Sequence, residues 1–381
     1  MKKFVVAVDS FKGSLSTFEA GDAVKTGIMR LFSDARIVIS PIADGGEGTV
    51  DAIISKNNGE MVQVKVCDPL GREITAEYGV IRNTNTAVME MASASGITLL
   101  SDNERNPLNT TTFGFGQMIK DAVDKGIRRF VIGIGGSATN DGGTGMLQAL
   151  GFEFLDKDGH EIQKGAKGLK ELVLIKTDKV LKELSECEFV VACDVRNPLC
   201  GDMGCSRIFG PQKGADDEMI KDMDLWLSSY AELTKTVFPL SDSDYPGTGA
   251  AGGMGFALMS YLGAQLKSGI RIVMEETGLE EEIKDADLVI TGEGRLDGQS
   301  HMGKVPAGVA EIAKKYNKPV IAFSGSVTDD ADKLNEYGID AFFPIVRTPC
   351  SLDEAMDKDN ASKNLSDTVY QVMRLINTKI L

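Results

Sequence analysis

Residues 1–60 and 284–381 share one rhythm, and the stretch between them breaks it. "FVVAV" at 4–8 is a short apolar run with no polar alternation, the pattern of a parallel strand buried on both faces. It leads through "DSFKGSL" to Ser16-Thr-Phe-Glu19, a capping box that opens a helix to Leu31. "ARIVISPI" (35–42) is a second strand, "ADGGEG" its loop and "TVDAIISKN" the next helix. The alternation returns after residue 284, with a strand in "DADLVITG" and a helix in "VPAGVAEIAKKY" that carries Pro306 in its first turn. "KPVIAFSG", "ADKLNEYG", "IDAFFPIV" and "SKNLSDTVYQVMRLI" continue it as strand, helix, strand and helix. Strands and helices in alternation pack as a parallel sheet covered on both faces, so the two ends together predict about five strands of one doubly wound sheet.

The middle reads differently. "MVQVKVCDP", "EITAEYGVIR" and "TAVMEMAS" (61–93) are consecutive alternating runs, which predicts an antiparallel meander. A helix at 112–125, strands in "RRFVIGIG" and "CEFVVACDV", and an amphipathic helix at 215–237 follow. The expected organisation is an α/β fold in which a discontinuous domain, 1–60 plus 284–381, carries an inserted mixed α/β domain, 61–283. A cleft between two such domains is where an active site is expected.

Glycine is the outlier of the composition: 42 of 381 residues, about 11% against a usual ~7%, gathered in a few loops where backbone amides can line an anion site. The net charge of −15 leaves no basic field for nucleic acid or an anionic membrane. No apolar run approaches the ~18 residues of a membrane span, so a cytoplasmic protein is expected. The six cysteines form no C-x-x-C pair, which predicts free, mostly buried thiols and no zinc site. With only His160 and His301 present, and His160 in the turn-like "DKDGHE", schemes built on several histidines are excluded.

Ligands of an open parallel sheet bind outside the carboxyl ends of its strands. The outer loops there supply Asp9, Ser10, Lys12, Asp44, Glu47, Glu293, Arg295, Asp297, His301 and Lys304, and the inserted domain adds Asp194 in "CDVRNPLCG". Carboxylates beside Lys, Arg and glycine amides suit metal-assisted phosphoryl transfer, with oxygen ligands for Mg²⁺ and cations for the migrating group. "GIGGSATNDGG" (133–143) also contains Gly133-Ile-Gly135-Gly-Ser-Ala138, a form of the dinucleotide fingerprint, with Glu153 about twenty residues beyond. An NAD-dependent hydroxyacid dehydrogenase is therefore the alternative reading. "PGTGAAG" (246–252) matches the same spacing but follows no strand, and reads as a helix start packed closely on a neighbour. Gly298-Gln-Ser-His-Met-Gly303-Lys304-Val305 is a phosphate-binding P-loop in all but its last residue. Val305 stands where the hydroxyl that ligates Mg²⁺ belongs, and the apolar strand ends well upstream, near Ile290. The match is read as coincidental.

Taken in order, "DSFKGSLS", "PIADGGEGT", "GIGGSATNDGG", "CDVRNPLCG", "GPQKGA", "GTGAAGGMGFAL" and "TGEGRLDGQSHMGK" resemble the motifs of the bacterial class I glycerate kinase family, over essentially the whole chain. The resemblance implies a discontinuous flavodoxin-like domain with a second α/β domain, and phosphorylation of D-glycerate by ATP with Mg²⁺. It implies the 2-phosphate more often than the 3-phosphate as product, and no Walker A loop. On that footing the triphosphate is expected against Gly135, Gly136, Ser137, Thr139 and Asn140, with Mg²⁺ near Asp194. Lys12 and Arg295 are expected to hold the glycerate carboxylate or the transferred phosphoryl group, and Asp297 or Asp194 to take the proton of the attacking hydroxyl. Asp9, Ser10, Asp44, Glu47, Glu293, His301 and Lys304 complete the substrate set. Four of these have a plain alternative: Lys12 also reads as an exposed loop lysine, Asp44 and Glu47 stand where a carboxylate caps the next helix, and Asp194 where one caps "RNPLCG".

Overall fold

The structure is a computed structural model, and it describes residues 1–43, 48–298 and 304–378. Its strands are β1 (Lys3–Val8), β2 (Arg36–Ile39), β3 (Glu60–Cys67), β4 (Glu73–Ile81), β5 (Thr86–Glu90), β6 (Arg129–Gly133), β7 (Glu153–Leu155), β8 (Leu174–Lys176), β9 (Glu188–Ala192), β10 (Gln265–Lys267), β11 (Leu288–Leu296), β12 (Val320–Val327) and β13 (Ala341–Pro344). They belong to two compact units, the first comprising 1–44, 55–57 and 270–381, the second 45–54 and 58–269.

The first unit is built on a five-stranded sheet in the order β13-β12-β11-β1-β2, every pair parallel. Counted within the unit this is the 2-1-3-4-5 order of flavodoxin-like folds. The chain leaves β1 toward β2 on one side and returns as β11 on the other, so the β1/β11 seam is the topological switch point. Helix Thr17–Met29 starts at the expected place: Ser16 Oγ accepts from Glu19 N, and the Glu19 carboxylate accepts from Ser16 N at 3.0 Å. Its Val24 and Ile28 pack with Leu365, Val369 and Met373 of helix Lys358–Asn377 over Phe4, Val6 and Val8 of β1.

Two elements differ from the sequence reading. The segment "ADKLNEYG" forms only a 3₁₀ turn, Ala331–Asn335, where a helix is expected. It is pinned between the Thr328–Asp330 turn and Gly338 at φ +97°, and so short a segment cannot repay helix nucleation. β11 runs on to Leu296, well past Ile290, because β12 keeps pairing with it: Arg295 faces Ser326 and Leu296 faces Val327, beyond the last β1 pair, Val8–Gly292. Glu293 and Arg295 are thus on a strand and share one of its faces by the two-residue period, while Leu296 is buried on the other.

The second unit carries a six-stranded sheet in the order β10-β9-β6-β5-β4-β3. The expected meander is present as antiparallel β3/β4 and β4/β5, and β5, β6, β9 and β10 are parallel. Their carboxyl ends are level, with Glu90 opposite Gly133, Gly133 opposite Ala192 and Ala192 opposite Lys267. The core is aromatic on one side: Tyr230 and Tyr261 stack at 6.2 Å, and Phe152, Phe154 and Phe256 meet them edge-on or tilted. Helix Asp217–Val237 brings Tyr230 to this cluster and is capped by the Asp216 carboxylate, which accepts from Met219 N at 2.8 Å.

All six cysteines are free, but Cys205 alone is fully buried; Cys350 is exposed and the others half-buried. No helix among the described residues is long and apolar enough to cross a membrane.

Candidate active site

At the carboxyl ends of the first unit's strands lies a cavity of about 670 Å³. It gathers Asp9, Ser10, Lys12, Glu293, Arg295, Asp297 and Lys304, all expected site residues, and sits at the β1/β11 switch point. Asp9 ends β1: its backbone N–H donates to Gly292 O at 2.9 Å, so the turn is tied to β11, and its buried carboxylate accepts from Ser10 N at 2.7 Å. The turn closes through Phe11 N donating to Leu15 O, with Gly13 at φ +78°, a conformation that favours glycine. Lys12 is thereby held at the apex with an exposed side chain.

Glu293 on β11 and Asp297 just past its end share Lys304, whose Nζ lies 3.7 Å from Glu293 Oε1 and 3.4 Å from Asp297 Oδ1. Lys304 stands just before helix Val305–Lys315, with Pro306 in the first turn as expected. Val305 is fully buried in the core, which is a packing reason for an apolar residue at the place of a P-loop hydroxyl. Arg295 is exposed, lines the cavity and makes no ion pair among the described residues. Asp44, Glu47 and His301 lie outside the described residues.

The second unit's candidates leave neighbouring strands, the 133–143 loop from β6 and Asp194 from β9. Asp194 is exposed, and its Oδ1 accepts from Gly269 N at 3.1 Å. Within the loop, Gly135 and Gly136 are exposed, whereas Ser137, Thr139 and Asn140 are buried. The loop is hydrogen-bonded along its length: Ile97 N donates to Gly136 O, Ala138 N to Ser95 O, and Gly142 N to Gly252 O, each at 2.9 Å. Asn140 donates through Nδ2 to Ser206 Oγ at 2.8 Å, inside the unit.

Two buried charges hold this loop, Lys213 from beneath it and Asp141 from within it, and the sequence reading missed the first. Lys213, only 1% exposed, donates from Nζ to Thr139 O at 2.6 Å; burial pushes its ammonium down to about 8, partly offset by nearby Cys205 and Asp141. The Asp141 carboxylate accepts from Thr112 N and Oγ1, Thr111 Oγ1, Gly143 N and Gly145 N, at 2.8 to 3.3 Å. Complete burial raises its pKa, and these donors work against the rise by stabilising the ionised form. The sequence carried one signal for Lys213, its place in "GPQKGA", but nothing local announces that a lysine will be interior.

"PGTGAAG" is a close-packed helix start, as read. A side chain at Gly252 would come within 2.1 Å of Thr139 O, and one at Gly249 within 2.1 Å of Pro198 O. The dinucleotide alternative loses its geometry. The helix after β6 begins only at Thr144, and Glu153 is on β7 of a separate hairpin, paired with Lys179 at 2.7 Å. Among the described residues no group of three or more His, Cys, Asp or Glu could hold a metal.

The family model described as the glycerate kinase family matches residues 4–377. The chain belongs to the glycerate kinase family. It is 50% identical to the Escherichia coli (strain K12) "Glycerate 2-kinase", over 98% of this chain and 99% of that protein. It is 46% identical to the Haemophilus influenzae "Glycerate kinase", over 98% of both chains. A crystal structure from Salmonella typhimurium LT2 superposes with a TM-score of 0.90 at 47% identity, covering 98% of each chain. As a glycerate kinase family member the chain is a phosphotransferase with an alcohol group as acceptor, and the dehydrogenase reading is set aside.

Proposed function

We propose that the protein phosphorylates D-glycerate with ATP and Mg²⁺, and that it makes the 2-phosphate. The observation that carries this reading is the switch-point cavity, which assembles exposed Lys12 and Arg295 beside Asp297 in a chain whose curated relatives include glycerate kinases. The name of the Escherichia coli relative supports the choice of hydroxyl.

Glycerate is small and anionic, and a guanidinium offers its carboxylate two parallel hydrogen bonds. Arg295, exposed and without an ion pair among the described residues, is suited to that contact. Lys12, at the apex of the β1 turn, is suited to neutralise the phosphoryl group as it moves. Asp297 is suited to accept the hydroxyl proton, which a loose phosphoryl-transfer transition state asks for only late. Glu293 and Lys304 then hold Asp297 in place, since Lys304 bridges the two carboxylates.

In the second unit, the exposed Gly135–Gly136 backbone is the part of the loop suited to phosphate oxygens, while buried Ser137, Thr139 and Asn140 shape it from within. Mg²⁺ prefers one or two carboxylates plus substrate phosphates over an all-protein cage. A single exposed carboxylate at Asp194, with no carboxylate cluster among the described residues, fits that mode of binding. When bound, the ion neutralises charge on the phosphate oxygens. The test is an ADP-coupled assay with D-glycerate, ATP and Mg²⁺, with NMR of the product. Glycerate-dependent ADP release and a 2-phosphate resonance are expected; ATP turnover indifferent to glycerate would overturn the reading.

A further inference from the structure

The 670 Å³ of the first unit's cavity exceed the needs of a three-carbon acid and fall in the ~300–1,000 Å³ range that encloses drug-sized ligands. Its polar end holds the groups already assigned. Its other wall is apolar and comes from the chain beyond β13, through Ile345, Val346, Leu352 and Met356. Leu352 is 72% exposed, Val346 38% and Met356 37%, so three large side chains of one short stretch remain uncovered around a concave site. Helix Lys358–Asn377 adds Asn364 to that wall, and among the described residues its amide has no hydrogen-bond partner. An apolar wall with an amide unbonded among the described residues at one end and the cationic end of Lys12 at the other suits a flat, weakly polar ring that carries an anionic tail.

We propose that this cavity seats the nucleoside end of ATP, with adenine against Val346, Leu352 and Met356, Asn364 on its hydrogen-bonding edge, and the phosphate chain leading toward Lys12. The inference rests on the kinase reading and adds the location of the base. A carboxamide matches adenine by donating to N7 and accepting from the N6 amino group, a pairing guanine cannot return because it presents O6 there. The site lies at the switch point of a 2-1-3-4-5 sheet, where such folds place mononucleotides.

Cys350 provides a reporter, being exposed and on the cavity wall. Alkylation of the intact protein by iodoacetamide, read at the Cys350 peptide by mass spectrometry, is compared with ADP, with D-glycerate and with neither. ADP is expected to slow modification about tenfold and glycerate to leave it unchanged. In steady-state kinetics, Asn364→Leu, which can neither donate to N7 nor accept from the N6 amino group, is expected to reduce the preference for ATP over GTP by about 5- to 100-fold. The KM for glycerate should stay within about twofold of wild type, a split that general damage to the fold would not produce. If glycerate is turned over but ADP leaves Cys350 unprotected and Asn364→Leu keeps its base preference, the inference falls and the kinase reading stands. If ADP protects Cys350 but glycerate is not phosphorylated, the nucleoside site stands and the substrate assignment falls. Protection by glycerate alone would overturn the nucleoside site.

Discussion

The two units differ in how they carry the cations near their strand-end loops, Lys12 and Arg295 in the first and Lys213 in the second. In the first unit Lys12 and Arg295 are exposed and line a cavity. In the second, Lys213 is buried beneath the 133–143 loop and spends its hydrogen bond on Thr139 O. An exposed cation contributes little to folding and much to a ligand, whereas a buried one must be held by the fold and in turn holds it. The contrast separates cations exposed on a cavity from one that shapes a loop from inside.

The sharpest way to break the comparison is at Arg295 and Lys12. Arg295→Ala or Lys12→Ala should lower kcat/KM for glycerate by roughly 10²–10³, the cost of removing one group aimed at developing charge, with Tm unchanged in thermal denaturation. Near wild-type turnover in either variant ends its assigned role.

Lys213→Met tests the other half. The folded value of about 8 lies below the ordinary 10.5, so between these pH values the unfolded chain binds the extra proton and stability rises with pH. The methionine variant lacks that increment. Measured by urea unfolding, wild type should gain roughly 2–3 kcal/mol over Lys213→Met between pH 7 and pH 10. Parallel profiles would mean that Lys213 is not held as a buried ammonium.

Gly252→Ala puts a methyl group against Thr139 O and asks alanine to adopt φ +68°. A loss of roughly 2 kcal/mol is expected in urea, with a higher KM for ATP because the loop it supports moves. Unchanged stability would show that the loop's shape is set elsewhere. The smallest effect belongs to Ser16→Ala, which removes the side-chain cap of helix Thr17–Met29 and should cost about 1 kcal/mol without altering either KM.

Much of the fold was legible in the sequence because its signals are local. The apolar runs at 4–8 and 288–290, the capping box at Ser16–Glu19 and Pro306 at a helix start each depend on residues a turn or a strand apart, and each appears where the pattern puts it. The alternation at both ends was enough for a parallel sheet closed across an insertion. Local patterns also gathered most of the cavity's polar end, since ligand groups of such a sheet must sit at strand ends.

Tertiary structure decided what depends on distant partners. β11 extends to Leu296 because β12 is there to pair with it, and "ADKLNEYG" stays a 3₁₀ turn because its ends are pinned. Thr139 and Asn140 look like loop ligands in sequence but are interior, since helix Ala250–Leu262 and Lys213 close over them from far along the chain. The apolar wall at Val346, Leu352 and Met356 had no motif, because a hydrophobic residue that lines a cavity is spelled like one that fills a core. Sequence records the period of a segment and the chemistry of its loops; burial is a property of pairs of segments, and only the folded chain brings those pairs together.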